Sequence, residues 1–482
     1  MFYLAHGAES VNRHFPKPEY LQAARKIGDL CWQVLSEGGI DITELGNHHG
    51  MSATVLMDPA VELYFATNEP RYLALAELVL QQADANPDLA LLTRALAGAD
   101  ASEIATGKAY QLAWNLVGLA KLHKATGIAG YRQAVDNVWE SIRTHHLTLG
   151  GGPWGGVAHR SREVFNPAGV FSPHGYVETC SVLAWIQLNR ELLAITGEAR
   201  YAEEIERTAY NDLLGAMAPN GEDWCYYSFP NGRRVHTTYW RCCKSSGAMA
   251  IEELPAIAYT QSATGNIAVN LLGPGNAEFL SPQAVLQDTD YPFDGRIRVQ
   301  VTPERSARFA VSIRIPQWAE GATLQVNGMP HAATIVAGSY AIIEREWNAG
   351  DEILLDLPMV PVAHGQVQQN TQESFAPDGS PVRQQVMHYE YIAVTRGPLV
   401  YASDLVDGYK TGETLRLSDD PPEQWLRVGQ ADNEQGPAVQ LCSLGRTPLT
   451  LVPYYRTGGR IDGAWRLTWM SLAPALSRDT VE

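Results

Sequence analysis

Residues 111–144 read QLAWNLVGLAKLHKATGIAGYRQAVDNVWESIRT. Apolar residues recur at helical spacing over Gln111–Lys124 and again over Tyr131–Thr144, with Thr126-Gly127 between them. A glycine just past a helix takes the left-handed conformation that ends it, so the stretch predicts helix, tight turn, helix. The same phrase stands on both sides. Thr67-Asn68 is followed by Tyr72 and Thr196-Gly197 by Tyr201, at the spacing that separates Thr126-Gly127 from Tyr131. These phrases close helices over Pro59–Phe65 and Val182–Ile195 and open helices over Tyr72–Gln82 and Tyr201–Met217. Glu19-Tyr20, ahead of Leu21–Leu35, is a weaker fourth copy. A repeat of roughly 50–70 residues made of helical hairpins predicts a toroid or solenoid of helix pairs rather than an ordinary bundle.

The texture changes after about Thr260. Val311-Ser312-Ile313-Arg314-Ile315 alternates apolar and polar residues, Leu324-Gln325-Val326 runs into the turn Asn327-Gly328, and Ile353–Leu357 and Ile392–Val394 continue the style. Short alternating segments with Asn-Gly and Gly-Asp turns predict β-sandwiches. The expected division is therefore a helical domain over residues 1–262 and a β-sandwich region over 263–482, with two sandwiches. The polar stretch at 364–386 (Gly365 to Gln385) is expected as a loop insertion between strands.

The totals exclude several classes. A chain of 482 residues with 45% hydrophobic content, 12 Trp and 21 Tyr can bury more than one core. Its net charge of −17 argues against nucleic acid and anionic membrane surfaces as partners. No apolar run approaches the ~20 residues of a membrane span. The first ten residues, MFYLAHGAES, lack the basic and apolar regions of a signal peptide. Six cysteines in a chain of this size are not a disulfide scaffold, and a reducing, cytoplasmic setting is expected.

Chemistry concentrates between Glu163 and Cys243. Glu178-Thr179-Cys180 and Cys242-Cys243 together offer one carboxylate and three thiols, enough for a closed tetrahedral zinc site. Neighbouring cysteines do not readily pair with each other, so Cys242 and Cys243 need an outside partner: a metal, another cysteine or a substrate. Buried structural thiols are the alternative. Residues i and i+2 share a face in an extended segment but not on a helix, so Glu178 and Cys180 are expected just before the helix that Val182 begins. Cys242 and Cys243 are expected to follow a loop and precede a helix over Ala248–Ala258. Glu163 lies in a loop after the glycine-rich run Gly150–Gly156, where functional groups concentrate although a lone glutamate is ordinarily just solvated. That run lacks the Gly-Lys-Ser/Thr ending of a phosphate-binding loop. Trp154 and Trp240 could stack on a sugar or belong to the core.

Taken together, Gly107-Lys108-Ala109-Tyr110, Glu163-Val164-Phe165, Glu178-Thr179-Cys180, Glu206 to Asn211, Trp224 to Tyr227 and Cys242-Cys243 resemble the bacterial β-L-arabinofuranosidase family, glycoside hydrolase family 127. Ile315-Pro316-Gln317-Trp318, Val326-Asn327-Gly328, Arg345 to Asp351, Arg396 to Tyr401 and Val452 to Tyr455 resemble its β-sandwich phrases in the same order. The resemblance implies an (α/α) six-hairpin-type catalytic toroid followed by β-sandwich domains. It implies zinc held by Glu178, Cys180, Cys242 and Cys243, with Cys242 as nucleophile and Glu163 as general acid/base. Glu206 and Tyr226 fall where the family places residues supporting the nucleophile and the sugar. The implied reaction is retaining hydrolysis of a terminal furanoside, β-L-arabinofuranose as first choice, from plant-type oligosaccharides. Zinc coordination keeps a cysteine as thiolate, and the cysteine replaces the second carboxylate of the usual double displacement. The glutamate's change of role between the two steps requires a raised pKa.

The chain departs from the family at the pocket. Lys108 stands where the family carries a sugar-binding histidine, and His48 and His49 fall near the toroid mouth, with His49 the candidate sugar ligand. About four helix pairs are readable where six close a barrel, so the toroid is expected to be N-terminally incomplete. Lys108 could instead meet the carboxylate of an acidic sugar. Further alternatives are a metal-free inverting hydrolase or lyase, and a noncatalytic carbohydrate-binding protein with structural zinc.

Overall fold

The computed structural model describes residues 17–156, 163–237, 241–279, 283–332, 334–404, 414–432 and 436–473. The N-terminal decapeptide and Trp240 lie outside them. The chain forms two compact units: one of Met1–Thr148, Gly152–Gly169 and Tyr176–Gly197, the other of Leu149–Gly151, Val170–Gly175 and Glu198–Glu482.

The first unit is built from α1 (Pro18–Trp32), α2 (Met57–Thr67), α3 (Pro70–Ala85), α4 (Ala109–Thr126), α5 (Ala129–His145) and α6 (Thr179–Thr196). The repeated phrase terminates α2, α4 and α6 in the same way. Asn68, Gly127 and Gly197 take φ of 55°, 72° and 69° at the C-cap. The preceding Thr67, Thr126 and Thr196 hydroxyls donate to the carbonyls of Leu63, Leu122 and Leu192 at 2.6, 2.7 and 2.8 Å. Thr67 and Thr126 then accept the N–H groups of Glu69 and Ile128, so one side chain both closes a helix and starts the turn. Helices α4 and α6 are buried on nearly all faces, whereas α5 is amphipathic. This is an inner and outer helix pattern. Trp114 donates to Gln187 at 2.7 Å and Trp139 to Asn189 at 2.9 Å, and the Trp139 and Trp185 rings stack at 5.8 Å. A Cβ on Gly118 of α4 would lie 2.9 Å from the Asp58 nitrogen, which is why a glycine occupies this crossing with α2.

In the second unit, α7 (Ala199–Thr208) runs on through a wide turn at Ala209–Leu213, and α8 (Arg241–Ala258) leads into strands. A six-stranded sheet runs in the order Met329–Pro330, Thr323–Val326, Asp351–Asp356, Arg296–Pro303, Gln283–Asp288, Gly275–Glu278. A four-stranded sheet runs Ser339–Trp347, Ala307–Ile315, Ile267–Val269, Tyr259–Gln261. Arg296–Pro303 alternates exposed and buried residues along its whole length, and both sheets contribute to one core that includes Val299, Val311, Ile313, Trp347 and Ile353. The predicted sandwich is present here.

The remaining strands depart from expectation. Among the described residues the strands from Pro361 onward, with Asn231–Arg233, join one nine-stranded sheet with its own core around Leu399, Tyr401, Leu441 and Leu451, rather than a second pair of sheets. The expected loop insertion at 364–386 is instead a long antiparallel ribbon, Pro361–Phe375 on Pro381–Arg396, with a register shift at Asn370/Thr371. Most of Pro361–Phe375 is exposed, so neither face needs apolar residues and the alternation that marks a half-buried strand is missing.

Candidate active site

In the first unit three segments converge. Gly155 bridges Phe165, Lys108 bridges Val164, and Trp154–Gly155 pairs with Tyr176–Glu178. Trp154, a stacking candidate by sequence, is buried in this pairing. The glycine-rich run makes the convergence possible. A Cβ on Gly155 would fall 1.9 Å from the Val164 carbonyl oxygen, and one on Gly156, whose φ is 77°, would fall 1.9 Å from the Tyr176 ring. Glu163 is thereby held at φ 52°, a region that non-glycine residues rarely occupy. Its N–H donates to the Tyr176 hydroxyl at 3.2 Å, and its carbonyl accepts from the Ala109 N–H at 3.3 Å.

This backbone gathers three of the predicted side chains. Lys108 occupies the N-cap position of α4, and Glu178, in extended conformation, that of α6. The Lys108 ammonium donates to Glu178 Oε2 at 3.1 Å and contacts Glu163 Oε2. It also lies 4.5 Å from the Tyr110 ring centroid. Lys108 and Glu178 are buried, and Glu163 is nearly so. A cation at a helix N-terminus opposes the helix dipole, so Lys108 is held there by the two carboxylates and the ring.

Behind this cluster, Phe165 packs 4.6 Å from the His146 ring, and His146 Nε2 meets Asp100 at 3.0 Å. Burial holds His146 below its ordinary pKa. Burial would raise Asp100, but hydrogen bonds from Ser102, Ser141 and His146 outweigh it and hold the carboxyl at about 2.

The thiols form a second cluster. Cys180 lies in the first turn of α6, and Cys242 and Cys243 lie in the first turn of α8. The expected placement ahead of each helix therefore needs correction: Glu178 is extended as required, but helix begins at Thr179, and α8 begins at Arg241 rather than Ala248. The sulfur atoms of Cys180, Cys242 and Cys243 lie within 4.8 Å of one another. Thiolates bound tetrahedrally at ~2.3 Å from zinc stand about 3.8 Å apart, so the three fit one ion after a small contraction. The group of mutually close donor atoms does not include Glu178, whose carboxylate is on Lys108. Cys180 and Cys243 are buried, while Cys242 is partly open.

The other sequence candidates have different surroundings. His49 is exposed, with Nδ1 3.4 Å from the exposed Asp88. Its neighbour His48, also expected near the toroid mouth, has its Nδ1 2.6 Å from the Thr106 hydroxyl, two residues from Lys108. Nothing in the sequence separates these adjacent histidines; both take left-handed φ. Glu206 is fully engaged: Arg314 at 2.5 Å and the Leu272 N–H at 3.2 Å on Oε1, and the Tyr291 hydroxyl at 2.7 Å on Oε2. Tyr226 is partly exposed and meets Tyr227 edge-on at 4.5 Å.

Among the described residues, no helix is long and apolar enough to cross a membrane. The model of the catalytic domain of β-L-arabinofuranosidase, glycoside hydrolase family 127, matches residues 1–256. The family's middle domain matches residues 266–359 and its C-terminal domain residues 382–471. A non-reducing end β-L-arabinofuranosidase of Bifidobacterium longum subsp. longum is 25% identical over 422 residues, covering 78% of this chain. The chain spans 61% of that relative's length. The crystal structure of a family 127 β-L-arabinofuranosidase from Geobacillus stearothermophilus T6 superposes with a TM-score of 0.76 at 22% identity, over 98% of this chain and 79% of that one. Another family 127 β-arabinofuranosidase gives 0.74 at 21%, over 98% and 76%. With helical hairpins preceding β-rich domains and the catalytic-domain match running through both cysteine clusters, the chain belongs to glycoside hydrolase family 127.

Proposed function

We propose that this protein is a retaining glycoside hydrolase that releases a terminal β-L-arabinofuranose from plant-type oligosaccharides. Cys242 is the nucleophile and Glu163 the general acid/base. The observation that carries this reading is the group of three thiols, of which only Cys242 is partly open. Zinc held by Cys180, Cys242 and Cys243, with Glu178 as the fourth ligand once it turns from Lys108, would keep the nucleophile as thiolate and ease its later departure. Cys242 has a second support. It sits in the first turn of an 18-residue helix, whose N-terminal dipole favours a thiolate.

Cys242 attacks the anomeric carbon while Glu163 gives its proton to the leaving oxygen. Glu163 then takes a proton from water, which displaces the thiolate and restores the free enzyme. Lys108 contacts Glu163 and has to withdraw before Glu163, protonated, can give its proton to the glycosidic oxygen. Because Lys108 already meets two carboxylates of its own chain, a neutral sugar is favoured over an acidic one. Tyr226, partly exposed, is the proposed contact to the sugar. Glu206, engaged on both oxygens, positions α7. The free thiols this chemistry needs suit the cytoplasm.

The test is zinc content together with turnover of 4-nitrophenyl β-L-arabinofuranoside, with the anomer of the first product read by NMR. One zinc per chain, a retained product and inactivity of Cys242→Ser are expected. A metal-free protein whose Cys242 and Cys243 are freely alkylated, or a Cys242→Ser enzyme that keeps its rate, overturns the mechanism.

A further inference from the structure

The strand Pro361–Phe375 is an outer edge of the nine-stranded sheet, and its one strand neighbour among the described residues is Pro381–Arg396. That neighbour meets other strands only toward its end, at Tyr391–Ile392 and Val394–Arg396. Residues 366–389 are therefore a two-stranded ribbon, closed by a turn in which the Gly379 N–H donates to the Ala376 carbonyl at 2.8 Å. Two strands by themselves are marginally stable in water at best, and three or more are needed to stand alone. This ribbon also leaves Phe375 78% exposed and Tyr389 49% exposed.

A free strand edge presents a row of backbone N–H and C=O groups, and natural edges are blunted with charged side chains, proline or bulges. The two edges of this ribbon differ in that respect. Pro381–Arg396 carries Pro381, Arg383 and the extra residue of the register shift opposite Asn370/Thr371. The outer strand stays regular there. It has no Lys, Arg, Asp or Glu from Pro361 to Gln372, and no proline after Pro361.

The sequence of the open edge fits a copy of itself. Residues 366–372 read QVQQNTQ, and the order amide, β-branched, amide, amide, amide, β-branched, amide is the same in both directions from Gln369. Antiparallel pairing of two copies across a two-fold axis at Gln369 sets Gln366 against Gln372, Val367 against Thr371, Gln368 against Asn370 and Gln369 against its equivalent. An amide both donates and accepts, so amides can pair with each other, and β-branched residues suit cross-strand positions. The same register sets the exposed Phe375 against Ala363 of the second copy, which packs at the rim of the core around Leu399 and Tyr401. A chain of net charge −17 repels its own copy, and an edge without charge lets two such chains approach.

We infer that Pro361–Phe375 is a self-association edge, on which two copies of this chain pair antiparallel about Gln369 and turn two ribbons into one four-stranded sheet. The contact uses the same surface on both copies, so it closes as a dimer. It is independent of the hydrolase reading, since it uses neither Cys242 nor Glu163.

The experiment is sedimentation velocity on the full chain and on Gln369→Lys and Gln369→Glu, over a wide range of protein concentration. A monomer–dimer equilibrium is expected for the parent. Each variant sets like charges against each other at the axis and is expected to raise the dimer dissociation constant about tenfold or more. An equimolar mixture of the two variants is expected to regain the dimer, because Lys then faces Glu. Gln384→Lys, on the blunted strand of the same ribbon, is expected to leave the constant unchanged. Gln369 and Gln384 are both exposed, so the fold tolerates these changes, and circular dichroism of each variant checks it. A parent that stays monomeric up to its solubility limit, a dimer that survives both single variants, or a mixture that stays monomeric overturns the assignment.

Discussion

Cys242 and Cys243 are adjacent in sequence and share the first turn of one helix, yet Cys243 is completely buried and Cys242 is partly open. Neighbours on a helix point about 100° apart, so one thiol can face inward while the other faces a substrate. The two are not interchangeable. Cys242→Ser is expected to lower kcat by about a thousandfold or more and, since it removes a proposed zinc ligand, to lower zinc content as well. Cys243→Ser is expected to lower zinc content and the unfolding midpoint together. Metal analysis, thermal unfolding and turnover of the nitrophenyl arabinoside on both variants check this.

Lys108 places one ammonium between two carboxyl groups, Glu163 and Glu178. Lys108→Met removes that ammonium from them, a change that costs about 3 kcal/mol or more for a buried pair in proteins. Urea unfolding is expected to show this loss, and kcat is expected to fall in parallel as Glu163 loses its hold. If Lys108 instead served to bind an acidic sugar, the variant would keep its activity on the neutral arabinoside.

His48 reaches the Thr106 hydroxyl beside the Lys108 segment, whereas His49 faces solvent with Asp88. His48→Ala is expected to lower kcat/KM roughly tenfold by loosening that segment. His49→Ala is expected to leave it within about twofold, as for surface substitutions generally. Parallel kinetics on the two variants decide the assignment.

Arg314 is fully buried between Glu203 at 2.5 Å and Glu206 at 2.5 Å, and its Nε donates to the Asn270 carbonyl at 2.6 Å. Burial lifts Glu203 to about 7, the Arg314 charge pulling it down less than burial and the Glu206 charge raise it. Arg314→Met strands both acids and is expected to cost roughly 3–5 kcal/mol, read as a lower midpoint in denaturant.

Asp100 supplies a pH dependence with a definite sign. Its folded pKa of about 2 lies below the ordinary 3.8, so its contribution is full above about pH 4 and is lost as pH falls through 2. His146, held low by burial, works in the same direction: protons that the unfolded chain takes up below its ordinary pKa of 6.5 draw it toward unfolding. Asp100→Asn is expected to be less stable than the parent by about 2 kcal/mol at pH 6, and the gap is expected to close near pH 2. Urea titrations at both pH values measure the difference.

The amino-acid sequence by itself determined what short-range physics determines. Thr67-Asn68, Thr126-Gly127 and Thr196-Gly197 each close a helix, because the hydroxyl and the left-handed residue act within one turn. Alternation marks Arg296–Pro303 because one face of that strand is buried. The cysteine pair declared its need for an outside partner through chain geometry alone. Only the tertiary structure decided the rest. The ribbon at 361–396 carries no burial pattern, since it is largely open to water. Lys108 meets Glu178 across 70 positions of chain, and Glu206 meets Tyr291 across 85, pairings that no local propensity encodes. The choice between His48 and His49 rests on which imidazole the turn at 46–50 aims at Thr106, and the exposure of Cys242 over Cys243 on how α8 is seated. Such choices are made by chain closure and packing between distant segments, where the physical information lies in the fold and not in any window of residues.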